Sequence, residues 1–180
     1  GNLVESSYRD ARINRIWDGT SEINRLAIVG QLLKDSERRE IPVFEVIKGI
    51  ETHPLAISRA ELTNIQGALE SERILLRRAK EIFLLSVGAA TRNGDQFPYE
   101  QEVIGMLADM VIAIFAMESV FLRTLKKIKK EGEEKSRASI SAARVYFNDS
   151  FPKLDLMAKQ VFVASSENEL PQNFELFQNY

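Results

Sequence analysis

Cysteine is missing from the 180 residues, and histidine occurs once, at His53. The first absence removes disulfides and thiolate chemistry and leaves no marker of redox compartment. The second leaves any zinc site to carboxylates almost alone, an unusual donor set. A Ser-His-Asp triad would hang on His53, which stands before Pro54 in an expected turn. A strong charge of either sign is also missing. The formal charge is −2 and the pI about 5.6, so nothing global points to nucleic acid or an acidic surface as partner. The opening "GNLVESSYRDAR" lacks a basic stretch followed by an apolar run, so it is not read as a signal peptide and the protein is expected not to be secreted. Strand alternation is absent, as are internal repeats and low-complexity segments, and no Glu-x-x-His pattern of a di-iron bundle occurs around Glu70, Glu72 and Glu81.

What is present is helical periodicity. A first helix is expected over about Val4 to Ile16. A second is capped by Thr20 or Ser21, with Glu22 in its first turn, where the positive dipole end favours an acid. Ile23, Leu26, Ala27, Leu32 and Leu33 form its apolar stripe. The charged "KDSERREIP", residues 34–42, reads as a linker and domain boundary. A short helix follows from Val43 to about Ile50. A long one is expected from about Ser58 to Arg92, striped by Leu62, Ile65, Leu69, Leu76, Ile82, Phe83 and Val87 and ended by Asn93-Gly94. Within it, "SERILLRRAKE" reads as charged helix surface.

A third long helix is expected over about Pro98 to Glu131. It carries the longest apolar run, "VIGMLADMVIAIFAMESVF", residues 103–121. Asp109 and Glu118 inside that run would be costly in hydrocarbon, which favours a fully buried central helix over a membrane span, with the two acids paired in the core to Arg or a hydroxyl. "KKEGEEKS" is a solvated turn. The last helix spans about Ser136 to Ser165, kinked or split at Pro152, and the tail with Phe174, Phe177 and Tyr180 is frayed or docked. The expected fold is all-α: two short helices followed by an antiparallel up-down bundle of three or four long helices.

One stretch carries more than architecture. In "RINRIWDGTSEINRL", residues 12–26, a helical pattern stops at Asp18-Gly19-Thr20 and a second starts at once. Taken alone, those three residues are an inter-helix turn with Asp18 or Thr20 as cap. The longer segment "SSYRDARINRIWDGTSEINRLAIVGQLLK" resembles the C-terminal signature of the acyl-CoA dehydrogenase family. That signature runs, roughly, Arg-Asp-x-Arg/Lys-Ile, a few residues, then Ile-Tyr/Phe-Glu-Gly-Thr-x-Glu/Gln-Ile-x-Arg. It appears here as Tyr8-Arg9-Asp10-Ala11-Arg12-Ile13, then Ile16-Trp17-Asp18-Gly19-Thr20-Ser21-Glu22-Ile23-Asn24-Arg25-Leu26.

The resemblance implies a role for each residue of the turn. Asp18 would be the base that removes the α-proton of an acyl-CoA thioester, while the β-hydrogen leaves as hydride to FAD. Such a base must touch its proton in a dry pocket. A helix break lets a carboxylate project, and Gly19 lets backbone approach a flat cofactor. Thr20 and Glu22 would lie at the FAD diphosphate and adenosine side, where a helix start offers N–H groups to phosphate. Trp17 and Gly19 would line the substrate pocket. The departure is Asp18 where the family usually has glutamate. Aspartate is shorter by one methylene, about 1.5 Å, and a misplacement of that size can cost on the order of a hundredfold in rate. The nitroalkane oxidases, a related branch, also use aspartate. The alternatives left open are a base elsewhere in the parent or a catalytically weak parent.

The same resemblance implies that residues 1–35 end the catalytic core's C-terminal helical domain and that 36–180 form an appended helical bundle. The very-long-chain acyl-CoA dehydrogenases and bacterial relatives carry such an extension, and "QEVIGMLADMVIAIFAMESVFLRT" is similar in character to theirs. In them it packs on the core and replaces a second dimer of the usual tetramer. The implied parent is an FAD-dependent homodimer in the bacterial cytoplasm or mitochondrial matrix. It would pass electrons to an acceptor like electron-transfer flavoprotein, and the isolated chain would be inactive. The competing readings are a non-enzymatic helical interaction module and a peripheral membrane-association domain. For the last, Phe121, Leu122, Leu125 and Ile128 share one face amid Lys126, Lys127, Lys129 and Lys130, although lysines also suit a helix C-terminus. An independent module should pack its first helices into its own bundle; a fragment should leave an apolar face exposed.

Overall fold

The computed structural model describes residues 3–52, 67–92 and 94–165. Every element among them is helical: α1 (Leu3–Ala11), a 3-10 turn (Arg12–Arg15), α2 (Ser21–Glu37), α3 (Val43–Thr52), α4 (Glu70–Thr91), a second 3-10 turn (Gly94–Tyr99), α5 (Gln101–Glu131) and α6 (Glu133–Ala164). The expected all-α class with short helices before a long-helix bundle is observed. His53, Pro54, Leu62, Ile65, Asn93 and the aromatic tail lie outside the described residues.

Local chemistry places the breaks. α2 runs on through Glu37, so the charged stretch expected as a linker from Lys34 is still helix for its first four positions. Pro42 fixes the start of α3, its carbonyl accepting from Val46 N at 3.0 Å. The long helix expected to run unbroken to Arg92 is interrupted. Gly67 has φ +105° and α4 begins only at Glu70. α5 starts at Gln101 rather than Pro98, because Pro98 belongs to the preceding 3-10 turn. Only Gly132 separates α5 from α6. Its φ of 85° and ψ of 162° form a backbone region open essentially to glycine alone. α6 is not split at Pro152: the helix is continuous from Glu133 to Ala164, with Phe147 and Leu154 buried on either side of the proline.

α4, α5 and α6 form the bundle. Glu72 of α4 meets Arg144 of α6, and Leu85 and Ala89 meet Phe162, so α4 and α6 run parallel with α5 antiparallel to both. α2 packs on α5 and α3 on α4. One core holds Val29, Ile47, Leu76, Phe83, Leu107, Met110, Met117, Phe147 and Leu154 together. In α2 the inward face is Leu26, Val29, Leu33 and Ser36, whereas Ile23 and Ala27 of the expected stripe point outward.

Two expectations about charge and burial need correction. α5 is not fully buried: a third (33%) of its most apolar stretch is, and Ile112, Phe115 and Leu122 face outward on one stripe. By length and composition alone α5 could cross a membrane. In the bundle, the face formed by Leu107, Met110, Ile114 and Met117 serves as core instead. The stretch around α4's charges is not all surface. The Glu72 and Glu81 carboxylates are buried, at 3.5 Å from Arg144 and 3.3 Å from Arg78. A carboxylate removed from water needs such a cation. Likewise, Phe121, Leu125 and Ile128 pack on Leu69, Ile140 and Ala143, so of the face suggested for membranes only Leu122 stays well exposed.

Leu107, fully buried, and Phe115, 73% exposed, sit two turns apart on α5. Leu107→Ala is expected to cost about 2–5 kcal/mol and Phe115→Ser less than about 0.5 kcal/mol. Urea midpoints at unchanged slope would check both.

Candidate functional site

Residues 16–20 reverse the chain between the 3-10 turn and α2. Ile16 N and Trp17 N both donate to Ile13 O at 2.9 Å, which ends the first helical path. Asp18 then takes φ +53° and Gly19 φ +91°. Two successive left-handed residues turn the backbone sharply. Aspartate is among the few side chains that tolerate that region, and glycine enters it freely. A Cβ on Gly19 would stand 3.0 Å from Asn24 Oδ1, so the position also lacks room.

The far side of the turn is tied to α2. Thr20 is the N-cap, its Oγ1 accepting from Ile23 N at 3.3 Å while Thr20 O accepts from Asn24 N at 3.0 Å. Asn24 Nδ2 reaches back to donate to Gly19 O at 3.1 Å. Glu22 is held below the usual glutamate range, first by its own backbone N–H, then by the Thr20 hydroxyl, with Arg25 and Arg15 adding positive charge nearby. Arg25 Nε donates to Asp109 Oδ1 of α5 at 2.6 Å, which raises the guanidinium above its ordinary range, and another of its nitrogens lies 3.9 Å from Glu22 Oε1.

The five residues singled out in the sequence thus stand along one turn. Trp17, Asp18 and Glu22 are exposed; Gly19 and Thr20 are half-buried. Asp18 is free to project because its backbone has left the helix. Thr20 and Glu22 are tied to each other and to the first backbone N–H groups of α2, which orders both polar groups beside the turn. Among the described residues, no cluster of three or more metal-capable side chains occurs. Sequence reasoning missed Asn24 and the specific pairing of Asp109 with Arg25. That an acid inside an apolar run must find a cation was readable for Asp109; that the cation is Arg25, 84 positions away, was not. Glu118, the other acid of that run, pairs with Lys80 at 2.7 Å rather than with arginine or a hydroxyl, and both acids lie at the rim of the core rather than within it.

The segment before the turn behaves differently from the rest of the fold. Every residue from Leu3 to Asp18 is exposed, including Leu3, Val4, Tyr8, Ile13, Ile16 and Trp17. α1 packs mainly on its own 3-10 turn, whereas α2 joins the common core through Val29.

Comparisons with known proteins find relatives for both ends of the chain. Residues 78–173 match a family model described as acyl-CoA dehydrogenase, C-terminal domain, and residues 1–33 match a second model of the same description. A probable acyl-CoA dehydrogenase of Bacillus subtilis (strain 168) is 35% identical over 167 residues, 92% of this chain and 28% of that protein. The mitochondrial short-chain specific acyl-CoA dehydrogenase of Sus scrofa is 67% identical over 31 residues, 17% of this chain and 8% of that protein. Among solved structures, the crystal structure of an acyl-CoA dehydrogenase complexed with FAD from Bacillus anthracis matches with a TM-score of 0.86 at 30% identity, over 98% of this chain and 29% of that one. The chain therefore spans under a third of the length of the relatives it matches.

Thr20→Ala should cost about 1 kcal/mol through the lost cap, and Gly19→Ala about 1–2 kcal/mol from its left-handed backbone, both read by denaturant unfolding. Glu22, its folded value depressed, stabilises above the ordinary 4.5 and loses that contribution as pH falls through the folded value. Glu22→Gln should therefore lower the melting temperature near neutrality, and the difference should close as pH falls through the folded value.

Proposed function

Because the chain belongs to the acyl-CoA dehydrogenase family, we propose that it is the C-terminal helical part of a flavin-dependent dehydrogenase and that the Trp17–Thr20 turn faces its acyl-CoA substrate. Residues 1–35 complete the catalytic core and 36–180 form the appended bundle. The parent acts in the bacterial cytoplasm or the mitochondrial matrix as a homodimer and hands its electrons to an acceptor like electron-transfer flavoprotein.

In this reading Asp18 is the base. Its carboxylate takes the α-proton of the thioester, and the pair of electrons left behind forms the new α,β double bond as the β-hydrogen departs. FAD, where bound, supplies the acceptor for that hydride. Trp17 covers the acyl-thioester and excludes water, Gly19 keeps the backbone thin where substrate passes, and the Thr20 hydroxyl and Glu22 carboxylate hold the diphosphate and adenosine side of the cofactor. General-base assistance of this kind contributes about 10²–10⁴-fold when geometry is right.

The observation that carries this reading is the solvent-exposed apolar face of Leu3, Tyr8, Ile13, Ile16 and Trp17, directly before the acid turn. A self-sufficient interaction module would bury its first helix as it buries α2. A run of apolar residues left in water beside a projecting carboxylate is what the last piece of a larger active site looks like without the remainder.

The chain alone is expected to purify colourless and inactive; a yellow preparation would contradict that. In the full-length parent, acyl-CoA thioesters of a graded length series should bleach the flavin anaerobically, and Asp18→Asn should slow bleaching by about 10² or more. Bleaching that survives in Asp18→Asn would move the base elsewhere.

A further inference from the structure

α5 meets the start of α2, next to the acid turn, through Asp109. Asp109 stands in the apolar run of that helix, where leucine or alanine would pack without desolvation cost. Its Oδ1 instead accepts from Arg25 Nε at 2.6 Å. The side chains are 34% and 40% exposed for Arg25 and Asp109, so the bond lies at the rim of the α2–α5 interface rather than inside it. Arg25 sits between Asn24, whose amide holds the Gly19 carbonyl, and Leu26, which packs on the core. Val29 is the first buried residue of α2. Over the two turns before it, α2 has Leu26 as apolar contact and Arg25–Asp109 as polar bond to the bundle.

These two attachments do different work. Leu26 supplies burial, which tolerates sliding and rotation. A charge-assisted bond to one carboxylate oxygen is directional and sets where the helix end points. We propose that Asp109 is a positioning residue for the acid turn: by clamping Arg25 it fixes the first turn of α2, and with it the Thr20 cap, the Gly19 carbonyl and the outlet of the Asp18 carboxylate. The catalytic consequence rests on the reading of Asp18 as base. There the appended bundle takes part in the chemistry without touching substrate, because a shift of about 1 Å in a reacting group can cost on the order of a hundredfold.

Amide hydrogen exchange on this chain tests the clamp directly. In Asp109→Asn, the Ile23 and Asn24 amides, which bond Thr20 Oγ1 and Thr20 O, should exchange about tenfold faster. Asp109→Glu should restore most of the protection. Glu118→Gln removes another ion pair from the same helix, Lys80–Glu118, and should leave those two amides unmoved. Unchanged exchange in Asp109→Asn, or equal release in Glu118→Gln, overturns the proposal. In the parent, Asp109→Asn should slow flavin reduction at saturating acyl-CoA by about tenfold while substrate affinity holds, with Asp109→Glu recovering most of the rate and Glu118→Gln close to wild type. If Asp18→Asn abolishes reduction and Asp109→Asn does not slow it, the positioning role fails and the functional reading stands. If no acyl-CoA reduces the wild-type flavin, the functional reading fails, and the exchange result alone decides whether Asp109 holds the turn.

Discussion

A helix as apolar as α5 must be covered in water, and the way it is covered organises the fold. Its inward face, Leu107, Met110, Ile114 and Met117, meets α4, α6 and α2 in one continuous core. α6 is brought alongside by the one-residue link at Gly132, which leaves no slack for an alternative pairing. α4 closes the other side, and α3 packs on α4. α2 has no such covalent constraint. It lies on α5 because Val29 and Leu26 find the remaining open part of the same apolar surface. The burial term is non-directional, so it explains why these helices gather and not which way each is turned.

Orientation comes from the charged pairs at the rims of that core. Glu72 to Arg144 aligns the start of α4 with α6, Lys80 to Glu118 sets α4 against α5, and Arg25 to Asp109 sets α2 against α5. Each joins two helices that hydrophobic contact alone would let slide. Pairs of this kind contribute little net stability, because desolvation offsets the attraction. Their strength lies in penalising the wrong register: a slip of one turn would strand a carboxylate against leucine.

The helices themselves were legible in the sequence because periodicity survives any tertiary context. Leu69, Leu76, Ile82, Phe83 and Val87 are buried as their spacing predicts. What was not legible traces to features that periodicity does not encode. The break before α4 depends on a left-handed Gly67 inside an otherwise helical pattern. The continuity of α6 through Pro152 depends on neighbours holding a helix that local propensity would interrupt. The half-exposed state of α5 depends on how many partners exist, and composition cannot count partners. Glu72 and Glu81 looked like surface because Arg144 is distant in sequence, and Arg77 and Arg78, close to Glu81, read as further surface charge. At the candidate site the turn was readable almost residue by residue, since Asp-Gly-Thr followed by an acid is a local signal. Its tether to α5 was not, since Asp109 is 84 positions away.

The turn also shows why so complete a local structure is insufficient by itself. Its backbone is settled: the left-handed pair, the Thr20 cap and the Asn24 bond to Gly19 all close within a few residues, and Arg25 anchors them to the bundle. Its environment is not. Asp18 and Trp17 stand in water, and on the proposed reading of Asp18 as base a hydrated carboxylate would act poorly on a carbon acid, because solvent competes for it. The missing ingredient is a wall, and the apolar residues from Leu3 to Trp17 mark where a wall would rest. Geometry on one side and an uncovered apolar face on the other are complementary halves of the same requirement. On that reading the bundle would supply precision and a cover over α1 would supply dryness.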